Sequence, residues 1–410
     1  MVTPRRAFGR AALAMLSGAC WIGSGQAADE ALEKLFTDGK VLFDGRLRYE
    51  FADQDGVDRN ARALTFRGRF GFQTGSFHGF SALVEGDFTR DLGVDNFNST
   101  TNGQTQFPVV ADPNSERLNR LQLSYTGLPD TTLTGGRQRI KLDNDRFVGN
   151  VGFRQNEQTY DAVRATNTTL PGLTIDYTYL WQVNRIFGSD AALGEVDADT
   201  HLINLGYDLP FGRLTGYAYL IDLGDLPGAS NQTFGARFAG RYDIDDTWSV
   251  LYAAEYATQS EHGSNPGDFD LDYLLVEGGL AWRSLTVRGA FELLEGDGTR
   301  GFATPLATLH KFQGYADVFL VTPANGIEDA WASIDYRIQD VPHLGSVRLA
   351  GWYHSFASEA SGEDLGQEVD LGVYISPFEH LTFSIEYADF FGAHTVADLR
   401  RLFVTATVRY

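Results

Sequence analysis

The chain has 410 residues, enough for one large barrel or two to three soluble domains, and it combines 29 Phe, 18 Tyr and 45 Gly with only 12 Pro. Its mean hydropathy of −0.22 leaves no run past the N-terminus apolar enough to cross a membrane as a helix. A formal charge of −21 sets aside nucleic acid and anionic lipid surfaces as partners.

The first element is a secretory signal. Arg5, Arg6 and Arg10 form a basic start, residues 11–22 a short apolar stretch, and Gly25-Gln26-Ala27 a cleavage site, so residues 1–27 read as a signal peptide. Cleavage there removes three arginines and no acid, taking the charge from −21 to −24. It also removes Cys20, leaving a mature chain with neither a disulfide nor a thiolate metal site. Residues 28–40 read as a short periplasmic segment in which Leu32, Leu35 and Phe36 form one amphipathic turn.

From residue 41 to residue 410 the pattern is strand after strand. The segments 41–53, 61–74, 77–89, 117–126, 131–141, 159–167, 173–187, 199–209, 213–223, 231–243, 248–259, 269–283, 285–295, 327–338, 346–357, 366–376, 381–390 and 398–410 alternate apolar and polar residues with period two. The odd-numbered connections are mostly long and polar, such as 90–116, 142–158 and 296–326, whereas the even-numbered ones are tight, such as 75–76, 127–130 and 377–380. That parity predicts an all-β fold: a transmembrane antiparallel barrel of about 18 strands with long outer loops and short periplasmic turns. A Greek-key sandwich has no reason to keep it.

Within each strand the apolar row must meet lipid, because Arg or Lys opposite the hydrocarbon core costs ~2–4 kcal/mol. The last strand sets Leu402, Val404, Ala406, Val408 and Tyr410 against Arg401, Thr405, Thr407 and Arg409. Its terminal Tyr410 is the kind of aromatic end that the barrel-insertion machinery reads. The opposite rows are basic: Arg46 and Arg48, Arg67 and Arg69, then Arg120, Arg137, Arg139, Arg288 and Arg337 are predicted to line a pore and attract anions. Inward acids, among them Glu50, Glu255, Glu277, Glu292, Asp335 and Asp370, allow a second arrangement in which the arginines are neutralised as cross-strand ladders. In the third outer loop Asp143, Asn144, Arg146, Arg154, Gln155 and Asn156 are candidates for a constriction that folds inward.

The run Gly136-Arg137-Gln138-Arg139-Ile140, continued by Arg146-Phe147-Val148-Gly149-Asn150 and Arg154-Gln155-Asn156-Glu157-Gln158-Thr159-Tyr160-Asp161, resembles the alginate-export family of outer-membrane porins. Asp44-Gly45-Arg46-Leu47-Arg48-Tyr49-Glu50 and Thr65-Phe66-Arg67-Gly68-Arg69-Phe70-Gly71 are similar to that family's first two strands. The resemblance covers about residues 41–190. It implies an 18-stranded monomer with an electropositive pore that passes an acidic saccharide such as alginate, or another organic anion. The short periplasmic turns depart from the alginate exporter, which closes that side with a long one.

The sequence holds no H-E-x-x-H, P-loop or G-x-S-x-G pattern, and its eight histidines are scattered without a metal-ligand spacing. The expectation is a cofactor-free outer-membrane anion channel embedded in lipid. The alternatives are a barrel enzyme acting on lipid or surface polymer, and a sealed structural or adhesion barrel.

Overall fold

A computed structural model describes residues 33–410. The signal peptide at 1–27 lies outside the described residues, as does most of the 28–40 segment; its end, 33–37, is helical. There the Leu35 carbonyl accepts from the Gly75 amide at 2.8 Å, and Phe36 lies 6.2 Å from Phe72.

Eighteen strands follow: β1 (Lys40–Gln54), β2 (Ala61–Gln73), β3 (Phe80–Asn96), β4 (Ser115–Leu128), β5 (Thr131–Gln138), β6 (Thr159–Asn167), β7 (Leu173–Asn184), β8 (Glu195–Leu209), β9 (Gly212–Ile221), β10 (Asn231–Asp243), β11 (Trp248–Glu261), β12 (Asp270–Trp282), β13 (Leu285–Leu294), β14 (Ile327–Val341), β15 (Gly345–Ala357), β16 (Asp364–Phe378), β17 (Leu381–Gly392) and β18 (Leu399–Arg409). Each pairs antiparallel with its neighbours in sequence, and β1 pairs with β18 from Asp44↔Arg409 to Gln54↔Leu399. Closure leaves no open edge, which is the condition for a sheet to stand in hydrocarbon.

All 18 expected strands are present. The largest differences are at β3, which runs on to Asn96, and β8, which starts at Glu195; β5 stops three residues early, at Gln138. The inner connections hold two to six residues and the outer ones six to 32. Three outer loops matter for the lumen: L2 (97–114), L3 (139–158) and L7 (295–326).

Alternation sorts the side chains. On β1 Arg46, Arg48, Glu50 and Ala52 are buried while Leu47 is exposed; on β2 Thr65, Arg67 and Arg69 are buried while Phe70 is exposed. In a barrel the exposed apolar row is the lipid row and the buried polar row is the lumen. Tyr207 and Tyr242, exposed near strand ends, fit the interfacial level. One bulge sits in the cationic wall: Glu85 pairs with Arg120 and Gly86 with Leu118, so Asn119 is an extra residue. Both Asn119 and Arg120 therefore turn to the lumen, where each bonds the Glu85 carboxylate.

Candidate functional site

L3 and L7 leave the barrel wall and cross the lumen. L3 is held on one side by Arg46, whose Nη1 donates to the carbonyls of Gly152, Phe153 and Arg154 at 3.1, 2.7 and 3.1 Å. Gln155 Nε2 donates to Thr65 Oγ1 at 2.9 Å, and the Gln155 amide to Asp112 of L2 at 2.8 Å. L7 meets L3 in a short parallel bridge at Val148 and Leu306. The Gly149 amide donates to the Leu306 carbonyl at 2.8 Å, and the Thr308 amide to the Asp145 carbonyl at 3.0 Å. On the far wall the Tyr315 and Ala316 amides of L7 donate to Asp370 and Glu368 of β16. Gly314 makes that approach feasible: its φ is +82°, and a Cβ there would lie 2.4 Å from the Glu368 carboxylate.

Rings stack along this crossing. The Arg48 guanidinium lies 4.1 Å from the Phe153 ring centroid, Phe153 stacks on His310 at 3.4 Å, and His310 on Tyr315 at 5.0 Å. Tyr315 then meets Trp352 of β15 at 5.1 Å. The bar divides the lumen. Above it is an outer vestibule of about 710 Å³. Below it lie a chamber of about 770 Å³ against β10–β15 and one of about 420 Å³ against β1–β4. His310 lines both the vestibule and the larger inner chamber.

The smaller inner chamber carries the cationic ladder. Its wall holds Arg46, Arg67, Arg69, Arg120, Arg139, Lys141 and Arg409 against Asp44, Glu85 and Glu157, seven cations to three carboxylates. Pairing is extensive. Arg67 bonds Asp44, Arg69 lies 3.3 Å from both Asp87 and Glu157, Arg120 bonds Glu85 at 2.7 Å and Arg139 bonds Glu157 at 2.6 Å. Burial alone would raise the Glu157 carboxyl, yet the Arg69 and Arg139 guanidiniums hold it well below the usual carboxylate range. Arg46 and Arg48 differ. Arg46 directly faces Arg67 across the strands, and among the described residues neither Arg46 nor Arg48 has a carboxylate within 4 Å: Arg46 bonds carbonyls, and Arg48 bonds Thr405 Oγ1 at 3.2 Å. Arg46 Nε and Arg48 Nη1 bond nothing.

Arg288 also faces the lumen, 3.1 Å from Glu277 on the larger chamber. Arg337 keeps the lumen-facing parity of its strand but stands near the periplasmic turn, beside Asp335 at 3.3 Å. Arg137 corrects the expectation. It pairs across the sheet with Leu121 and Asp161, on the row of exposed Leu121 and Val163, and so faces outward. Its guanidinium is neutralised there by a two-pronged bond to Asp161 at 2.7 and 2.9 Å. The phase was carried past the true end of β5: Gln138 is the lumen-facing residue, and Arg139 turns inward because it already belongs to L3.

The third-loop candidates are all placed by this crossing. Arg154 joins Glu50 of β1 and Asp317 of L7, each at 2.9 Å, and Arg146 lies 2.9 Å from Glu292. Asn156 accepts from Ser115 at 2.9 Å and donates to the Ile186 carbonyl at 2.8 Å. Asp143 accepts from Asn204 at 2.7 Å, and the Asn144 carbonyl accepts from Lys311 at 2.9 Å. Sequence reasoning missed Glu157, which joins Arg69, Arg139, Asn119 and Asn150, and Arg401, which bonds Glu50 at 2.8 Å and the Ala316 carbonyl at 2.7 Å. Glu157 lies within the quoted third-loop run and was a signal available to find. His354 of β15 turns to the lumen and bonds Asp329 of β14 at 3.0 Å. No group of His, Cys, Asp and Glu among the described residues is arranged to hold a metal ion.

Several solved structures share this shape. Pseudomonas aeruginosa OpdL superposes with a TM-score of 0.68 at 15% identity, over 92% of this chain and 99% of that one. Acinetobacter baumannii OccAB2 gives 0.72 at 15% identity, over 92% and 99%. Pseudomonas aeruginosa OpdK, solved with vanillate, gives 0.69 at 12% identity, over 90% and 98%. No family model matches the chain, and no curated protein does. At these identities the likeness is one of fold alone: a closed antiparallel barrel of 18 strands. The alginate-export resemblance therefore narrows to that coarser statement.

Proposed function

We propose that the protein is a passive outer-membrane channel for small organic anions, in which the β1–β5 wall supplies the attracting charge. The observation that carries this reading is the surplus of cations on the smaller inner chamber, headed by Arg46, together with Arg48 against the Phe153 ring of the crossing; no carboxylate neutralises either. Fixed guanidinium groups along a water-filled lumen lower the energy of an anion passing them and raise that of a cation. Arginine's planar fork also suits carboxylates.

Size separates the two solute classes left open by the sequence. A polyuronate needs a continuous groove, whereas here L3 and L7 are bonded to each other and to opposite walls, leaving chambers of several hundred Å³. Small anions fit such chambers. That a barrel of this fold, OpdK, was solved with vanillate, a small aromatic carboxylate, supports the same choice.

Planar-bilayer recording under a KCl gradient tests the proposal. The expected reversal potential has the sign of chloride preference, and replacing both free guanidiniums (R46Q with R48Q) lowers the chloride-to-potassium permeability ratio about fivefold, the factor for roughly 1 kcal/mol of lost attraction. A barrel that carries no current, or a ratio unmoved by that pair of substitutions, overturns it.

A further inference from the structure

The vestibule above L3 and L7 opens sideways into a second cavity of about 460 Å³, and the two share Arg185, Pro305, Leu309, Leu320 and Val321. The chemistry of this side cavity is unlike that of the ladder below. Its wall is mainly aliphatic, with Val183 and Val196 from the barrel, Leu223 and Leu226 from the loop after β9, and Leu306 from L7; Thr299, Arg300, Thr304 and Thr322 of L7 add polar groups on one side. Phe302 is its single aromatic ring, and it is lined by no carboxylate.

Arg185 stands where the two cavities meet. Its guanidinium lies 4.7 Å over the Phe187 ring, and its side chain donates only to the Leu193 carbonyl, at 3.5 Å. Among the described residues no carboxylate comes within 4 Å of it, in contrast to Arg154 and Arg401 in the same vestibule, which both bond Glu50. Burial pushes its pKa down, with no acidic neighbour to offset the loss of water. Such a group is stabilised by an incoming anion. Beside it, Leu320 and Val321 are exposed by 40% and 83% on the rim, apolar surface in water at the place where a solute would arrive.

We propose that these joined cavities are a capture site for an aliphatic carboxylate, the carboxylate forked onto Arg185 and the alkyl chain laid along Val183, Val196, Leu223, Leu226 and Leu306. A sugar acid would leave its hydroxyls against Val and Leu without partners, which is unfavourable. Arg185 is the guanidinium at the mouth, whereas Arg300, the second on this cavity, donates to Asn265 and lies over the Phe269 ring. Each methylene placed on such a wall is worth about a fourfold gain in affinity. The assignment rests on the channel reading only for what happens next: the captured anion would be handed past His310 into the larger inner chamber, which meets the cationic ladder at Lys141, Asn150 and Gly152.

Titration calorimetry on the detergent-purified full chain, with detergent alone as reference, tests the capture site directly. The probes are butanoate, hexanoate, hexanol and benzoate. Hexanoate is expected to bind about 16-fold tighter than butanoate, for two methylenes, and both hexanol and the R185Q variant should lose at least tenfold. L320S with V321S, on the exposed rim that both cavities share and that the chain passes, should reduce but not abolish the gain per methylene while the barrel stays folded. Equal affinities for butanoate and hexanoate, benzoate binding tighter than hexanoate, or full hexanoate binding by R185Q would each overturn the site. Bilayer conductance separates the two proposals: chain-length-dependent binding by a barrel without current supports this site and overturns the channel, whereas current with chain-length-independent binding does the reverse.

Discussion

Glu157 shows how much one side chain holds in place here. It accepts from both prongs of Arg139 at 2.6 and 2.7 Å, and from Asn119 and Asn150 at 2.6 Å each. Removing one partner of a buried ion pair typically costs ~3–5 kcal/mol, because the other charge stays buried without compensation. E157Q is therefore expected to free L3 from the β2–β5 wall, seen as larger and noisier single-channel current. Its pH behaviour follows from the depressed carboxyl. A group whose folded pKa lies below its unfolded value contributes stability above the unfolded pKa, about 4.3 for Glu, and loses it only as pH falls through the lower folded value. Current amplitude in the native barrel should thus hold steady from pH 7 down to about 4 and rise only in stronger acid. Steady growth through pH 6 to 5 would assign the anchoring to other groups. Arg137 gives the opposite expectation: R137Q leaves ion selectivity unchanged, because its charge is outside and already paired with Asp161, while the heat-unfolding midpoint falls.

At the level of strands and loops, the period-two rows and the alternation of short and long connections were readable because lipid on one side and water on the other impose both. The faces of β1, β2 and β18 follow directly from Leu47, Phe70 and Val404. What could not be read is where a loop goes once it leaves the wall. The partners of Arg46 are carbonyls more than a hundred residues away, and those of Arg154 lie on β1 and L7, so neither is encoded in local spacing. Arg137 failed for a related reason, since alternation ends with the strand and β5 ends at Gln138. The L3–L7 contact gives a test at this scale. F153A with H310A removes the closest ring pair of the crossing and is expected to raise conductance at least twofold without changing the sign of the reversal potential; unchanged conductance would mean that the narrowest point lies elsewhere.

Over the whole molecule, a chain of net charge −21 keeps an inner chamber with more cations than carboxylates. The sum over the chain therefore says little about the field a solute meets. That field is screened by salt, with a Debye length of about 10 Å at 0.1 M and about 3 Å at 1 M. Anion preference should accordingly fall toward unity as KCl rises to molar strength, and a preference that persists there would point to direct binding rather than to the field. The extra residue Asn119 has a consequence of its own. Because the strand is one residue longer than its partner at that point, excising Asn119 would leave Leu118 outward and Arg117 and Arg120 inward, in the register they already hold. A single-codon deletion in β4 would thus keep inside and outside apart only at this bulge, whereas the same deletion at a regularly paired position such as Leu121 would invert one end of the strand.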